Sequence, residues 1–124
     1  MERYFFFDID GTLTTPLTAD YPDSAREAVR RLQEKGNFVA IASGRLQADA
    51  VDVAEELGID SVISDGGNGV TCRGKILYHE GLPLAACFRL LGEIDGKKHP
   101  WAVTTENKKR RKTKYDDYLE RVTD

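Results

Sequence analysis

The chain has 124 residues, of which 40% are hydrophobic and 31% charged, and its formal net charge is −3. This balance suits a small soluble globular protein with a modest core, and it excludes a polybasic chain that holds nucleic acid or anionic membrane by bulk charge. No run is long or apolar enough to cross a bilayer, and Cys72 and Cys87 lack metal or redox spacing, so both are expected as reduced thiols.

The first predicted element is a strand, Tyr4 to Ile9, whose bulky residues read as meant for burial. It begins almost at residue 1, so no signal peptide is expected and a cytoplasmic location is. A loop through Pro16 and Pro22 leads to a helix. Ser24 and Glu27 have the spacing of a capping box, Ala25, Ala28, Val29 and Leu32 share a face, and Gly36 is the stop. Residues 38–42 form an apolar strand suited to cover on both faces. A second helix carries Leu46, Ala50, Val53, Ala54 and Leu57 and ends at Gly58, and Val62 and Ile63 belong to a short third strand. Alternating apolar strands and helices imply a parallel sheet.

Beyond Ser64 the pattern changes. Residues 70–72 and 76–78 read as a β-hairpin turning at Arg73-Gly74. A helix is expected from Pro83 to Leu91, a strand at residues 101–103, and a short helix over 115–122. Six of the seven residues from Lys108 to Lys114 are basic. A nucleic-acid or adaptor surface is one reading, but six charges without interleaved aromatics favour a solvated face. Trp101 is expected to pack within this region, and His79 and His99 to serve surface or packing roles.

Chemistry concentrates at Asp8 and Asp10. Residues two apart in an extended chain point the same way, so the two carboxylates share a face at the strand's end. Paired like charges are costly unless a cation or a reaction keeps them there. Phosphoryl transfer fits: Asp8 as nucleophile, Asp10 as general acid and base, and Mg²⁺ bound by carboxylate oxygens. Gly11 and Thr12 are expected to offer backbone N–H groups to phosphate oxygens. Ser43 sits at the carboxyl end of the second strand, where its hydroxyl is suited to a phosphoryl oxygen and also to capping the next helix, roles that can coexist. Arg45 is suited either to a substrate phosphate or to an acidic neighbour.

The run Asp8-Ile9-Asp10-Gly11-Thr12-Leu13-Thr14 resembles the first motif of the haloacid dehalogenase superfamily of phosphohydrolases. Ala40-Ile41-Ala42-Ser43-Gly44-Arg45 resembles its second motif, in a form similar to the Cof-type sugar-phosphate phosphatases. Asn68-Gly69 followed by the strand at Lys75-Ile76-Leu77-Tyr78 is also similar to that branch. The resemblance implies an α/β, Rossmann-like, parallel three-layer core over residues 1–65, incomplete, and part of an α+β cap over residues 66–124. It implies Mg²⁺-dependent hydrolysis of a small phosphorylated metabolite, with Ser43, Gly44, Arg45 and Asn68 at the substrate. Asp65 invites comparison with the family's acidic loop, but in that fold the first strand is central and the third lies two strands away, roughly 9–10 Å off. The family's lysine and acidic loop normally follow the cap, and no residue here matches either. Weak turnover, or a binding module without turnover, is therefore expected. The fourth strand that would pair with the first is also not matched, so self-association through the Tyr4 to Ile9 edge is a further expectation.

Overall fold

A computed structural model describes residues 1–15, 20–109 and 111–114. The expected helix over 115–122 lies outside the described residues. The chain divides into two compact units, Met1–Glu80 and Gly81–Asp124.

The first unit is a five-stranded sheet in the order β1-β2-β3-β4-β5. β1 (Tyr4–Phe7), β2 (Phe38–Ala42) and β3 (Val62–Ser64) run parallel. β4 (Gly69–Cys72) pairs antiparallel with β3, and β5 (Lys75–His79) antiparallel with β4. The hairpin turns on Arg73 at φ 51° and Gly74 at φ 81°, the positive pair that a two-residue hairpin turn requires. The α/β, Rossmann-like class holds, with one difference in detail. The sheet is mixed, because the short connections at residues 65–68 and 73–74 can only reverse the chain. The hairpin also pairs into this sheet and lies in the same compact unit, Met1–Glu80.

α1 (Asp23–Glu34) and α2 (Gln47–Glu56) connect the parallel strands. Val29, Ala50, Val53 and Ala54 from these helices cluster with Val39, Ile41, Ile9 and Val62, and half-buried Phe5 and Phe7 pack against them. Both helices therefore cover one face of the sheet. Alternation puts Tyr4 and Phe6 on the other face, where they are 66% and 53% exposed. The first strand is thus an exposed edge, not a buried strand: among the described residues β2 is its one sheet neighbour, and one of its faces is covered within the unit.

The helices stop where glycine lets them. Gly36 and Gly58 adopt φ 81° and 70°, and the Asn37 and Ile59 amides return to the Leu32 and Ala54 carbonyls. The expected capping box does not form. Pro22 occupies the N-cap of α1 without a side-chain bond, and Glu27 is taken by Arg30 and Arg31, whose guanidinium hydrogen bonds hold its carboxyl down to about 2.

In the second unit, α3 (Leu84–Gly96) runs five residues past the expected end at Leu91. The strand expected at residues 101–103 is a single bridge between Val103 and Lys112. Trp101 donates its indole N–H to Asp95, which also pairs with Lys114, and Lys108 pairs with Glu106 at 3.0 Å. Part of the basic run is thus neutralised locally. Cys72 and Cys87 are free and half-buried. Among the described residues, no helix is long and apolar enough to cross a membrane.

Candidate active site at the carboxyl rim of the parallel strands

Register places the two motifs side by side. Phe7 pairs with Ile41, so Asp8 leaves β1 level with the end of β2, and Ser43 follows within two residues. Beyond β1 the chain turns over residues 9–13. Ile9 and Leu13 are buried as anchors, and Gly11 takes φ 79°. Thr14 closes the turn, its amide and hydroxyl both donating to the Ile9 carbonyl at 3.1 and 3.2 Å. With Ile9 driven inward, Asp8 and Asp10 on either side of it are exposed at the rim. The Gly11 amide is not directed to a ligand: it donates to Thr14 Oγ1 at 3.3 Å, because the threonine that closes the turn sits beside it. Thr12 is exposed on the same turn.

The rim of β2 answers with a cation. Arg45 Nε and Nη2 reach Asp10 Oδ2 and Oδ1 at 3.1 and 2.5 Å, and Nη1 lies 3.4 Å from Asp49. This two-pronged hydrogen bond holds the Asp10 carboxyl below its ordinary range and raises Arg45 above its own. Of the two partners left open for Arg45, the structure shows the acidic one. Ser43 is buried, and its Oγ accepts the Arg45 amide at 3.0 Å. That bond shapes the loop rather than capping α2, whose N-cap is Leu46 without a side-chain bond. Accepting there leaves the Ser43 hydroxyl proton available to donate. Gly44 is exposed between these two residues.

A third loop, 64–68, supports the second. The Asp65 amide donates to the Arg45 carbonyl at 2.8 Å and the Gly66 amide to the Ser43 carbonyl at 3.2 Å. Asp65 Oδ2 accepts the Gln47 amide at 3.1 Å and the Ser64 hydroxyl at 2.9 Å, and His79 Nε2 lies 2.9 Å away. His79 thus has a carboxylate partner that spacing did not reveal. Gly69 is a buried strand residue and not part of a flexible turn: a Cβ there would lie 2.3 Å from Ser64 Oγ. The signal in the sequence was limited to a glycine opening the strand and a Ser-Asp pair four to five residues before it. Asn68 is exposed on the same loop and passes its carbonyl to the Glu80 amide at 2.8 Å.

Among the described residues there is no group of three or more His, Cys, Asp or Glu side chains suited to a metal. Asp8 and Asp10 are a pair, and Asp10 is engaged by Arg45. Mg²⁺ keeps several waters and needs one or two protein carboxylates, so an exposed Asp8 fits it. A separate polar cleft of about 180 Å³, lined by Glu2, Gln33, Asn37, Phe38, Val39, Asp60 and Arg73, opens at the opposite, amino-terminal rim. It carries none of the rim residues Asp8, Asp10, Ser43, Arg45 or Asp65.

The haloacid dehalogenase-like hydrolase family pattern matches residues 5–120. The Bacillus subtilis (strain 168) protein named "Putative phosphatase YkrA" is 40% identical over 105 residues, which is 85% of this chain and 40% of YkrA. A solved hypothetical protein from Geobacillus kaustophilus HTA426 superposes with a TM-score of 0.80 at 32% identity, over 99% of this chain and 49% of that one. The sugar phosphatase BT4131, of haloacid dehalogenase subclass IIB, shares the fold with a TM-score of 0.79 at 23% identity, over 99% of this chain and 48% of its own. The chain therefore spans about half the length, or less, of the proteins it matches. With its two motifs joined across adjacent strand ends by Arg45 and Asp10, it belongs to the haloacid dehalogenase-like hydrolases.

Proposed function

We propose that the β1–β2 rim is a phosphate-monoester hydrolase site of the Cof type, acting on a small phosphorylated metabolite, a sugar phosphate by family likeness. The observation that carries this reading is the contact of Arg45 with Asp10, which brings the first and second motifs into one site. A carboxylate oxygen of Asp8 attacks phosphorus, and the P–O bond to the leaving group breaks. Asp10, released when Arg45 turns to the phosphate, supplies the proton the leaving alcohol needs. It then takes a proton from water as that water attacks the aspartyl-phosphate, releasing phosphate and restoring Asp8. The Ser43 hydroxyl donates to a phosphoryl oxygen, and the Thr12 amide lies on the turn that flanks it.

The charges at the rim bear on the cofactor. Asp10 and Asp49 face one guanidinium, and Asp8 stands exposed on the same rim, an excess of carboxylate that repels a phosphate dianion. Asp8 and the Asp10 main-chain carbonyl would hold Mg²⁺, which supplies the charge neutralisation that lets an anionic phosphate approach. Arg45 is the residue that would exchange its carboxylate partner for a phosphate oxygen. Part of the activity of the longer relatives is expected here, because no lysine among the described residues is placed at the rim. The open edge of β1 suits pairing with a second copy, which sedimentation would register as a dimer.

The test is Mg²⁺-dependent hydrolysis of an aryl phosphate by the chain and by Asp8→Asn. Turnover that requires Asp8 supports the reading, and turnover unchanged by the substitution contradicts it. Phosphate binding without turnover points instead to a binding module, a reading favoured by the engagement of Arg45 with two carboxylates.

A further inference from the structure

We infer that Asp65 is a positioning residue for the rim site, a brace that holds the loop bearing Ser43 and Arg45 in register with Asp8 and Asp10. The inference rests on the phosphatase reading above. Asp65 grips that loop on both sides. Its own amide and that of Gly66 take the Arg45 and Ser43 carbonyls, and its carboxylate takes the Gln47 amide. Gln47 is the first residue of α2, whose N-cap Leu46 has no oxygen to offer. A carboxylate from another loop therefore does the capping, where negative charge also suits the helix end.

The brace is itself held. Two hydrogen-bond donors converge on Oδ2, from Gln47 and Ser64, and His79 Nε2 lies 2.9 Å from the same oxygen, so the carboxylate has one orientation in which all three are met. Asp65 adopts φ 53°, a left-handed conformation that costs an L-residue energy and persists where its surroundings over-determine it. Space is reserved for the same contact. A Cβ on Gly69 would meet Ser64 Oγ at 2.3 Å, Asp65 Oδ2 at 3.1 Å and His79 Cδ2 at 3.2 Å. Any side chain at Gly69 would push all three apart. The strand pair β4–β5 thus transmits its position to the phosphate-facing loop through one side-chain pair.

The experiment is calorimetric titration of inorganic phosphate with Mg²⁺ into the native chain and into Asp65→Ala, Asp65→Asn and His79→Gln. Amide exchange of residues 45–47 is followed in parallel. Asp65→Ala should weaken phosphate binding roughly 10–100-fold, the scale expected when a positioned group drifts by about an ångström. Asp65→Asn keeps an acceptor oxygen and should recover most of the affinity, and His79→Gln should fall between them. Native affinity in Asp65→Ala, with exchange at 45–47 accelerated, would overturn the inference, because the brace would then serve the fold alone. If Asp65→Ala does not fold, His79→Gln decides: weakened binding supports the brace and unchanged binding overturns it. A native chain that binds no phosphate refutes the phosphatase reading itself, a failure visible before any variant is made.

Discussion

The two units place their apolar side chains in opposite ways. In Met1–Glu80 the alternating strands and the helix faces converge on one cluster, with Ile9 and Ile41 at 0% exposure. Among the described residues of the second unit none is buried, and Leu84, Phe88 and Leu90 of α3 are 68%, 69% and 56% exposed. The first unit has a core of its own beneath its rim. The second is tied by polar contacts: Trp101 and Lys114 on Asp95, and the Val103–Lys112 bridge. Chemistry that needs fixed geometry therefore belongs on the first unit, where strand ends and buried anchors hold each side chain.

Four measurements would break or sharpen this contrast. The largest effect is on chemistry: Asp8→Asn should lower aryl-phosphate turnover by about 10³-fold or more, with unchanged thermal stability because Asp8 is exposed. Next come matched truncations in the two units. Ile41→Ala should cost about 2–5 kcal/mol in urea unfolding, and Phe88→Ala less than about 0.5 kcal/mol. Equal costs would dissolve the distinction between the units. Gly58→Ala should cost about 1 kcal/mol, since a residue with a Cβ is strained at φ 70°. The smallest effect is electrostatic. Hydrogen bonds from Arg30 and Arg31 lower the Glu27 carboxyl from 4.5 to about 2. A depressed carboxyl stabilises above its unfolded value and loses that contribution as pH falls through its folded one. The thermal midpoint of the native chain should therefore drop relative to Glu27→Gln between pH 4.5 and 2, and added salt should shrink the difference.

Local signals carried most of the fold. Gly36 and Gly58 end their helices and Arg73-Gly74 turns the hairpin, because positive φ is a property of a single position. Strand register brings Asp8 beside Ser43, and parallel order follows from the alternation of elements. What sequence did not reveal depends on distant partners. The family resemblance implied the open edge of β1, but its apolar residues by themselves read as buried, because burial is set by what lies beside and beneath a strand. Glu27 had the spacing for a cap but found two guanidinium groups closer. Gly11 was expected to offer its amide outward, and Thr14 three residues later claims it. The Asp65–His79 pair joins the 64–68 loop to β5 through contacts that no local spacing encodes.

The account stands on Asp8 as the atom donor to phosphorus. The most direct measurement is a rapid acid quench of the chain with Mg²⁺ and excess aryl phosphate, followed by peptide mass mapping. The prediction is one phosphoryl group on the peptide that contains Asp8 in the native chain, and none in Asp8→Asn. Aryl-phosphate turnover with no label on that peptide, or with the label on another residue, would contradict it.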